Sequence, residues 1–158
     1  MLQTHLEMGR NVSLDDAPKI RILIVEKHAA VRRALSDRLS VTPHFEIIAS
    51  VEEPAAALSY LDAKNGQEGC PKAPIVVLFG LQNGTDEQLF KTIDLVEQMV
   101  YLSAAVIVLA PFADEVERLL LHQAGVKCYL LKYIDSARLI REIEAAATRG
   151  PKPISAMS

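Results

Sequence analysis

The sequence lacks the cysteine content and the positive charge that are typical of disulfide-stabilised, metal-binding or nucleic-acid-binding proteins. Its 158 residues contain two cysteines, Cys70 and Cys128, which are too few for a disulfide framework and lack metal-ligand spacing. Both are predicted to be free thiols, and Cys128 is predicted to be buried because it lies in an apolar run. The formal net charge of -3 provides no excess of positive charge for neutralising phosphates. Direct nucleic-acid binding by this chain is therefore not expected.

Long apolar runs and cofactor motifs are also missing. No segment approaches the roughly 18 uninterrupted apolar residues of a membrane span, and residues 1–19 lack the apolar core of a signal peptide. We therefore expect a cytoplasmic protein that does not associate with membranes. The turn after the first apolar run has no glycine-rich phosphate loop, and no Ser/His/Asp or Cys/His set is expected to converge. Neither enzymatic activity nor a cofactor nor a bound metal is expected.

The sequence does contain five short apolar runs that alternate with segments of helical periodicity. The runs are rich in Val, Ile and Leu and too short for helices, which favours buried strands. They are Ile20–Val25, Phe45–Val51, Ile75–Phe79, Ala105–Ala110 and Lys127–Leu131. Between them, apolar residues recur every three or four positions. This alternation predicts an α/β fold with a doubly wound, five-stranded parallel sheet and helices on both faces.

Composition divides the chain into three parts. Residues 1–19 are predicted to form a flexible N-terminal arm, residues 20–148 one globular domain, and residues 149–158 a linker or tail, because two prolines follow a glycine there. Within the domain, Lys64–Ala73 is predicted to be a polar loop. Other residues indicate where helices start or end: Pro54, Asp114 with Glu115, Asp135 or Ser136, and Gly125.

Four stretches resemble the signature segments of CheY-like receiver domains of response regulators. They are Ile22–His28, Pro74–Leu81, Val106–Ala110 and Ala124–Lys132. Their order and spacing match the family over about residues 20–147. The Tyr-Leu-Leu-Lys ending of the last stretch most resembles receivers of transcription regulators that carry a C-terminal helix-turn-helix. The resemblance implies a flavodoxin-like sheet with strand order 2-1-3-4-5.

The resemblance also implies a phosphorylation chemistry that this sequence has lost. In the family, two acids after the first strand hold Mg²⁺, an aspartate after the third accepts phosphate, and a hydroxyl and a lysine sense it. Here Glu26 stands for the first acid, whereas Lys27 replaces the second, Gly80 the acceptor and Ala110 the hydroxyl. Only Lys132 is retained. Because glycine supplies no nucleophile and Mg²⁺ needs several oxygen ligands, the sequence predicts a degenerate phosphorylation pocket without metal.

The charges of this pocket permit two interpretations. Glu26 is interpreted first as the ion-pair partner of Lys27 or Lys132, compensating a buried charge. Because two lysines face one glutamate, the pocket is predicted to be positive, which would repel a cation. The alternative function is therefore a small-molecule or anion sensor whose ligand approaches the backbone of Gly80. Tyr129 stands where receivers have their rotating switch aromatic, and we expect it to be fixed.

A dimer surface is predicted on the fourth helix, fifth strand and fifth helix, which receivers commonly use for this purpose. Leu119, Leu120 and Leu121 are consecutive, and a helix with one buried face cannot hide three adjacent side chains. Leu121 or a neighbour is therefore predicted to be exposed. Arg118, Arg138 and Arg141 add charges that suit an isologous contact. A surface on the first and fifth helices is the alternative.

The leading hypothesis combines these observations. The chain is predicted to be an atypical, phosphorylation-independent receiver domain that acts as a protein-interaction and dimerisation module in signal transduction. It would form a homodimer and regulate transcription through a linked helix-turn-helix output domain or a protein partner.

Overall fold

The computed structural model describes residues 18–68 and 73–149, in which five strands alternate with five helices. The strands are β1 (Ile20–Val25), β2 (Phe45–Val51), β3 (Val76–Gly80), β4 (Ala105–Ala110) and β5 (Cys128–Leu131). The helices are α1 (Ala29–Ser40), α2 (Pro54–Glu68), α3 (Asp86–Tyr101), α4 (Glu115–Gln123) and α5 (Ser136–Arg149). The predicted order of elements is confirmed, although β3 and β5 each begin one residue later than predicted.

The five strands form one parallel sheet in the order β2-β1-β3-β4-β5, as predicted. β1 pairs with both β2 and β3, and β4 pairs with β3 and β5. All six residues of β4 are buried, as expected for a strand covered on both faces. Because the strands are parallel, their carboxyl ends meet at one edge of the sheet, which positions the residues that follow β1, β3 and β5 near one another.

Helices cover both faces of the sheet and form two core clusters. One cluster contains α1 and α5 through Leu35, Leu39, Leu139 and Ile143. The other contains α2, α3 and α4 through Leu61, Val96, Met99 and Leu121. Each fully buried Leu or Ile contributes about 1.5–3 kcal/mol relative to an exposed one, so these residues fix which side of each helix faces the sheet. In the described part of the chain, no helix combines the length and apolarity that crossing a membrane requires.

Side-chain caps fix where three helices begin. Thr85, Asp114 and Asp135 each accept a hydrogen bond from the backbone N–H three residues later, at 3.2, 3.0 and 2.9 Å respectively. Of the two residues predicted to cap the last helix, Asp135 does so, and Asp114 lies at a helix start as predicted. Gly125 follows the end of α4 with a φ of 109°, a conformation that favours glycine. These caps orient the loops that enter α3, α4 and α5 from the carboxyl edge of the sheet.

Helix α2 is longer than predicted. Lys64–Ala73 was expected to be a loop, but the helix continues to Glu68. Asn65 Nδ2 donates a hydrogen bond to the carbonyl oxygen of Leu102 at 2.9 Å, which ties the last turns of α2 to the end of α3. This tertiary contact offsets the cost of Gly66 in a helix, roughly 0.5–1 kcal/mol relative to alanine.

Some sequence predictions fall outside the described residues or need correction. Cys70, residues 1–17 of the predicted arm and residues 150–158 of the predicted tail lie outside the described residues. Cys128 is only partly buried, contrary to the prediction that it would be buried, and its Sγ lies 3.5 Å from Glu142 Oε1. The reason is its place on β5, at the edge of the sheet.

Candidate functional site

The residues predicted to form a degenerate phosphorylation pocket lie at the carboxyl edge of the sheet. Glu26 follows β1, Gly80 ends β3, Ala110 ends β4 and Lys132 follows β5. The structure brings Glu26, Gly80 and Lys132 together. Ala110 is fully buried, and its carbonyl oxygen accepts a hydrogen bond from the backbone N–H of Lys132 at 2.8 Å. This backbone contact holds Lys132 in register beside β4.

Glu26 is a buried carboxylate, with 1% of its surface exposed. Its Oε1 lies 3.0 Å from Lys132 Nζ. Oε2 accepts hydrogen bonds from the backbone N–H of His28 at 2.9 Å and from Gln82 Nε2 at 3.2 Å. Oε1 accepts no hydrogen bond of good geometry from any described residue. The contact with Lys132 is therefore an ion pair that compensates the buried charge. Of the two predicted partners of Glu26, Lys27 and Lys132, the structure selects Lys132.

Gly80 leaves the space that the Glu26 carboxylate fills. A Cβ atom on residue 80 would lie 2.1 Å from Glu26 Oε1 and 3.1 Å from its Cδ. The same point lies 3.5 Å from Lys132 Cε. Non-bonded atoms do not approach to the first of these distances, so any side chain at position 80 must displace Glu26. A side chain at position 80 and the observed position of the Glu26 carboxylate therefore exclude each other.

Two residues that the sequence analysis did not single out complete the surroundings of Glu26. Gln82 Nε2, besides its bond to Glu26, lies 3.3 Å from the carbonyl oxygen of Gly80. Arg32 Nη1 donates to the carbonyl oxygens of Glu26 at 2.7 Å and Lys27 at 3.3 Å. The position of Arg32 in the first turn of α1, a few residues after Glu26 and Lys27, could have indicated this contact from the sequence. Gln82 offered none, because sequence does not fix the direction of a loop side chain.

A cleft of about 470 Å³ lies beside this site, and exposed Lys27 is part of its lining. The lining also includes Lys91, but carboxylates predominate: Glu52, Glu53, Asp86, Asp114 and Glu117. The predicted positive charge, counted from Lys27, Lys132 and Glu26 alone, does not extend to this cleft, because its carboxylates come from other loops and helices. For the pocket around Glu26 and Lys132 it stays a prediction. The acidic lining disfavours the anion ligand of the alternative function.

Tyr129 lies on β5, and its side chain reaches α4. Its hydroxyl donates a hydrogen bond to the carboxylate of Glu117 and lies 3.2 Å from the carbonyl oxygen of Phe112. Burial raises the pKa of Tyr129 well above its usual value, and the hydrogen bond to Glu117 with its negative charge raises that pKa further. The phenol therefore stays a protonated donor. These contacts link β5 to α4, while the fixed position of Tyr129 remains a prediction.

The predicted dimer surface carries exposed apolar residues, but they are not the expected ones. Leu121 is fully buried in the core, so its prediction as a surface residue is wrong. Val116 and Leu119 are 64% and 49% exposed, and Phe112, in the loop before α4, is 66% exposed. We call Phe112, Val116 and Leu119 the α4 surface. With three consecutive leucines, sequence periodicity alone could not fix which side of α4 faces the core.

The three arginines predicted for this surface lie on α4 and α5. Arg118 forms an ion pair with Glu115 within α4. Arg138 Nε lies 3.8 Å from Glu142 Oε2 within α5, and Arg141 is exposed. Charges of both signs are therefore available on the two helices, as a self-complementary contact requires.

Comparison with known proteins gives one relative among curated sequences. No protein-family model matches the chain. The transcriptional regulatory protein DegU of Brevibacillus brevis is 27% identical over 132 residues, which cover 84% of this chain and 52% of DegU. The chain therefore spans about half the length of this relative.

Solved structures share the fold over most of the chain. The signal receiver domain of the response regulator NarL from Mycobacterium tuberculosis superposes with a TM-score of 0.65 and 18% identity, covering 82% of this chain and 98% of that one. A LuxR-family DNA-binding response regulator from Staphylococcus aureus gives a TM-score of 0.63 and 18% identity, with 80% and 98% covered. The chain has the fold of response-regulator receiver domains, and the predicted fold class is confirmed.

Proposed function

We propose that this receiver-type domain acts in two-component signal transduction without being phosphorylated, as a cytoplasmic protein-interaction and dimerisation module. The observation that carries the proposal is the Glu26–Lys132 ion pair, whose carboxylate lies directly over Gly80. The resemblance implies an aspartate at position 80 in phosphorylated receivers. Here the position has no side chain, and the space beside it is filled.

The chemistry of phosphoryl transfer supports this proposal. The reaction needs an accessible carboxylate nucleophile and a divalent cation. Glu26 is buried, with one oxygen hydrogen-bonded and the other paired with Lys132, so it is a poor nucleophile. Among the described residues, no three His, Cys, Asp or Glu side chains are arranged to hold a metal ion. The proposed function therefore includes no catalysis and no cofactor.

A role in transcription is supported by the relatives. DegU is a transcriptional regulatory protein, and the Staphylococcus aureus neighbour is a DNA-binding response regulator. We propose that this domain regulates transcription in the same general way, through a linked output domain or a partner protein. Binding to DNA by residues 20–148 themselves is not part of the proposal.

The α4 surface is the proposed dimer contact. Its three side chains are large, apolar and at least 49% exposed, and ion-paired residues lie beside them on α4. An apolar centre with charged surroundings is the usual composition of protein interfaces. A module that is not switched by phosphate would present this surface constitutively.

The proposal is tested by titrating the chain with beryllofluoride and Mg²⁺ while recording backbone amide NMR spectra. We expect no saturable shifts at Gly80, Ala110 or Lys132. A receiver domain with an aspartate acceptor, treated identically, provides the positive control. A stable adduct on this chain, seen by NMR or by mass, would overturn the proposal.

A further inference from the structure

We infer that Glu26 supplies, from the end of β1, the carboxylate that position 80 on β3 lacks, so that the site carries a permanent internal counter-ion for Lys132. The inference deepens the proposed function, and it rests on the missing acceptor side chain rather than on dimerisation. It treats Glu26 and Gly80 as one unit, in which the carboxylate from β1 occupies the space over the glycine of β3.

The distances support this role of the Glu26 carboxylate. Glu26 Oε1 occupies the space within 2.1 Å of where a Cβ on residue 80 would be. From there it lies 3.0 Å from Lys132 Nζ, and Lys132 Cε lies 3.5 Å from that same Cβ position. A carboxylate rooted on β3 would meet the same lysine from the same place. Gly80 has no positive φ, so space and not backbone conformation explains the glycine.

Glu26 also joins three connections at this edge of the sheet. Its Oε2 binds the His28 backbone N–H at the start of α1 and the Gln82 side chain after β3, while its Oε1 faces Lys132 after β5. A buried carboxylate with these partners holds the connections in one arrangement. Lys132 is thereby kept in its paired position without any modification.

A thermal unfolding cycle tests whether Glu26 fills the space over Gly80. In the wild-type background, Gly80→Ala places a Cβ against Glu26 Oε1 and should lower the melting temperature by about 4–10 °C. In a Glu26→Ala background the same change should have little effect, because the carboxylate is gone. An equal loss in both backgrounds would overturn the inference. If Glu26→Ala does not fold, Glu26→Asp serves as the background, and the loss must still shrink.

A second pair of variants tests the charge itself. Glu26→Ala should lower the melting temperature because Lys132 loses its partner. Adding Gly80→Asp to Glu26→Ala returns a carboxylate from β3 and should recover at least half of that loss. Gly80→Asn in the same background is the matched control, equal in size but uncharged, and should recover less. Equal recovery by Asn and Asp would refute the counter-ion role, even if the chain still takes up no beryllofluoride.

Discussion

The phenol of Tyr129 and the carboxylate of Glu117 form a hydrogen bond that connects β5 with α4. It links a strand that ends beside the Glu26–Lys132 pair to the helix that carries the α4 surface. The contact therefore joins the sheet directly to α4.

The raised pKa of Tyr129 makes part of the stability depend on pH. Because the pKa is higher in the folded chain than in the unfolded chain, the contribution is fully present below the unfolded value of about 10. It is lost as the pH rises above that value, since the unfolded chain then releases the proton more readily. Urea unfolding at rising alkaline pH should show a smaller decline for Tyr129→Phe than for the wild type.

A spectroscopic titration provides the complementary measurement. The chain has four tyrosines, and tyrosinate absorbance should show a late component, from Tyr129, that titrates above the usual tyrosine range while the chain stays folded. Tyr129→Phe should remove this late component. Tyr133→Phe, at an exposed position, is the control and should leave it in place. A late component that survives in Tyr129→Phe would contradict the assignment.

Two glycines should respond in opposite ways to alanine. Gly125 has a φ of 109°, and a Cβ there would lie 3.1 Å from both γ-carbons of Val100, so Gly125→Ala should cost about 1–3 kcal/mol. Gly66 lies within α2 with nothing within 4 Å of its Cβ position, so Gly66→Ala should add about 0.5–1 kcal/mol. Chemical unfolding of both variants measures the difference. A stabilising Gly125→Ala would show that the left-handed turn is not required.

Building a Mg²⁺ site at this edge of the sheet should require three changes. Gly80→Asp alone clashes with Glu26, and Lys27→Asp with Gly80→Asp leaves the same clash. Adding Glu26→Asp shortens the first carboxylate by one methylene and gives Mg²⁺ three acidic ligands. We expect saturable Mg²⁺-dependent NMR shifts only in the triple variant. Binding by Gly80→Asp alone would show that Glu26 moves aside readily.

Dimerisation through the α4 surface gives a test by sedimentation. Leu119→Asp should weaken association by about 1–3 kcal/mol, the scale of a lost interface contact. Arg138→Glu, on the helix α5 that both candidate interfaces share, should weaken association through either surface. Ala63→Asp, at an exposed position on α2, is the control and should leave the association unchanged.

A separate variant tests the alternative interface on α1 and α5. Arg33 is exposed on α1, so Arg33→Glu should weaken the dimer only if α1 and α5 form the contact. A wild-type chain that stays monomeric at high concentration would refute both surfaces.

The parallel sheet was within reach of sequence reasoning, since short apolar runs alternate with segments of helical periodicity, and β3 and β4 are buried throughout. The order of the strands came from the resemblance to receiver domains. The convergence of Glu26, Gly80 and Lys132 was also predictable, because parallel strands bring their carboxyl ends to one edge. What required coordinates was side-chain direction. Sequence did not reveal that the Glu26 carboxylate lies over Gly80.

The sequence predictions were wrong where the local residue pattern was compatible with more than one structure. The three leucines of α4 permit more than one helix phase, and packing chose the one that buries Leu121 and exposes Leu119. The charge of the cleft does not follow from Lys27, because Glu52 and Glu53 come from a different connection. Gly66 favoured a loop, but the Asn65 contact with Leu102 kept α2 helical.

The four-residue length of β5 restricts how copies of this chain can associate. An edge strand offers unpaired backbone groups to which another chain can add a strand, and such addition leads to open-ended aggregation. Here the edge extends only over Cys128–Leu131, and lysines stand at positions 127 and 132 on either side of it. Few backbone groups are therefore offered at this edge. Addition of a further strand to β5 is disfavoured, which favours association of copies through side-chain surfaces such as the α4 surface.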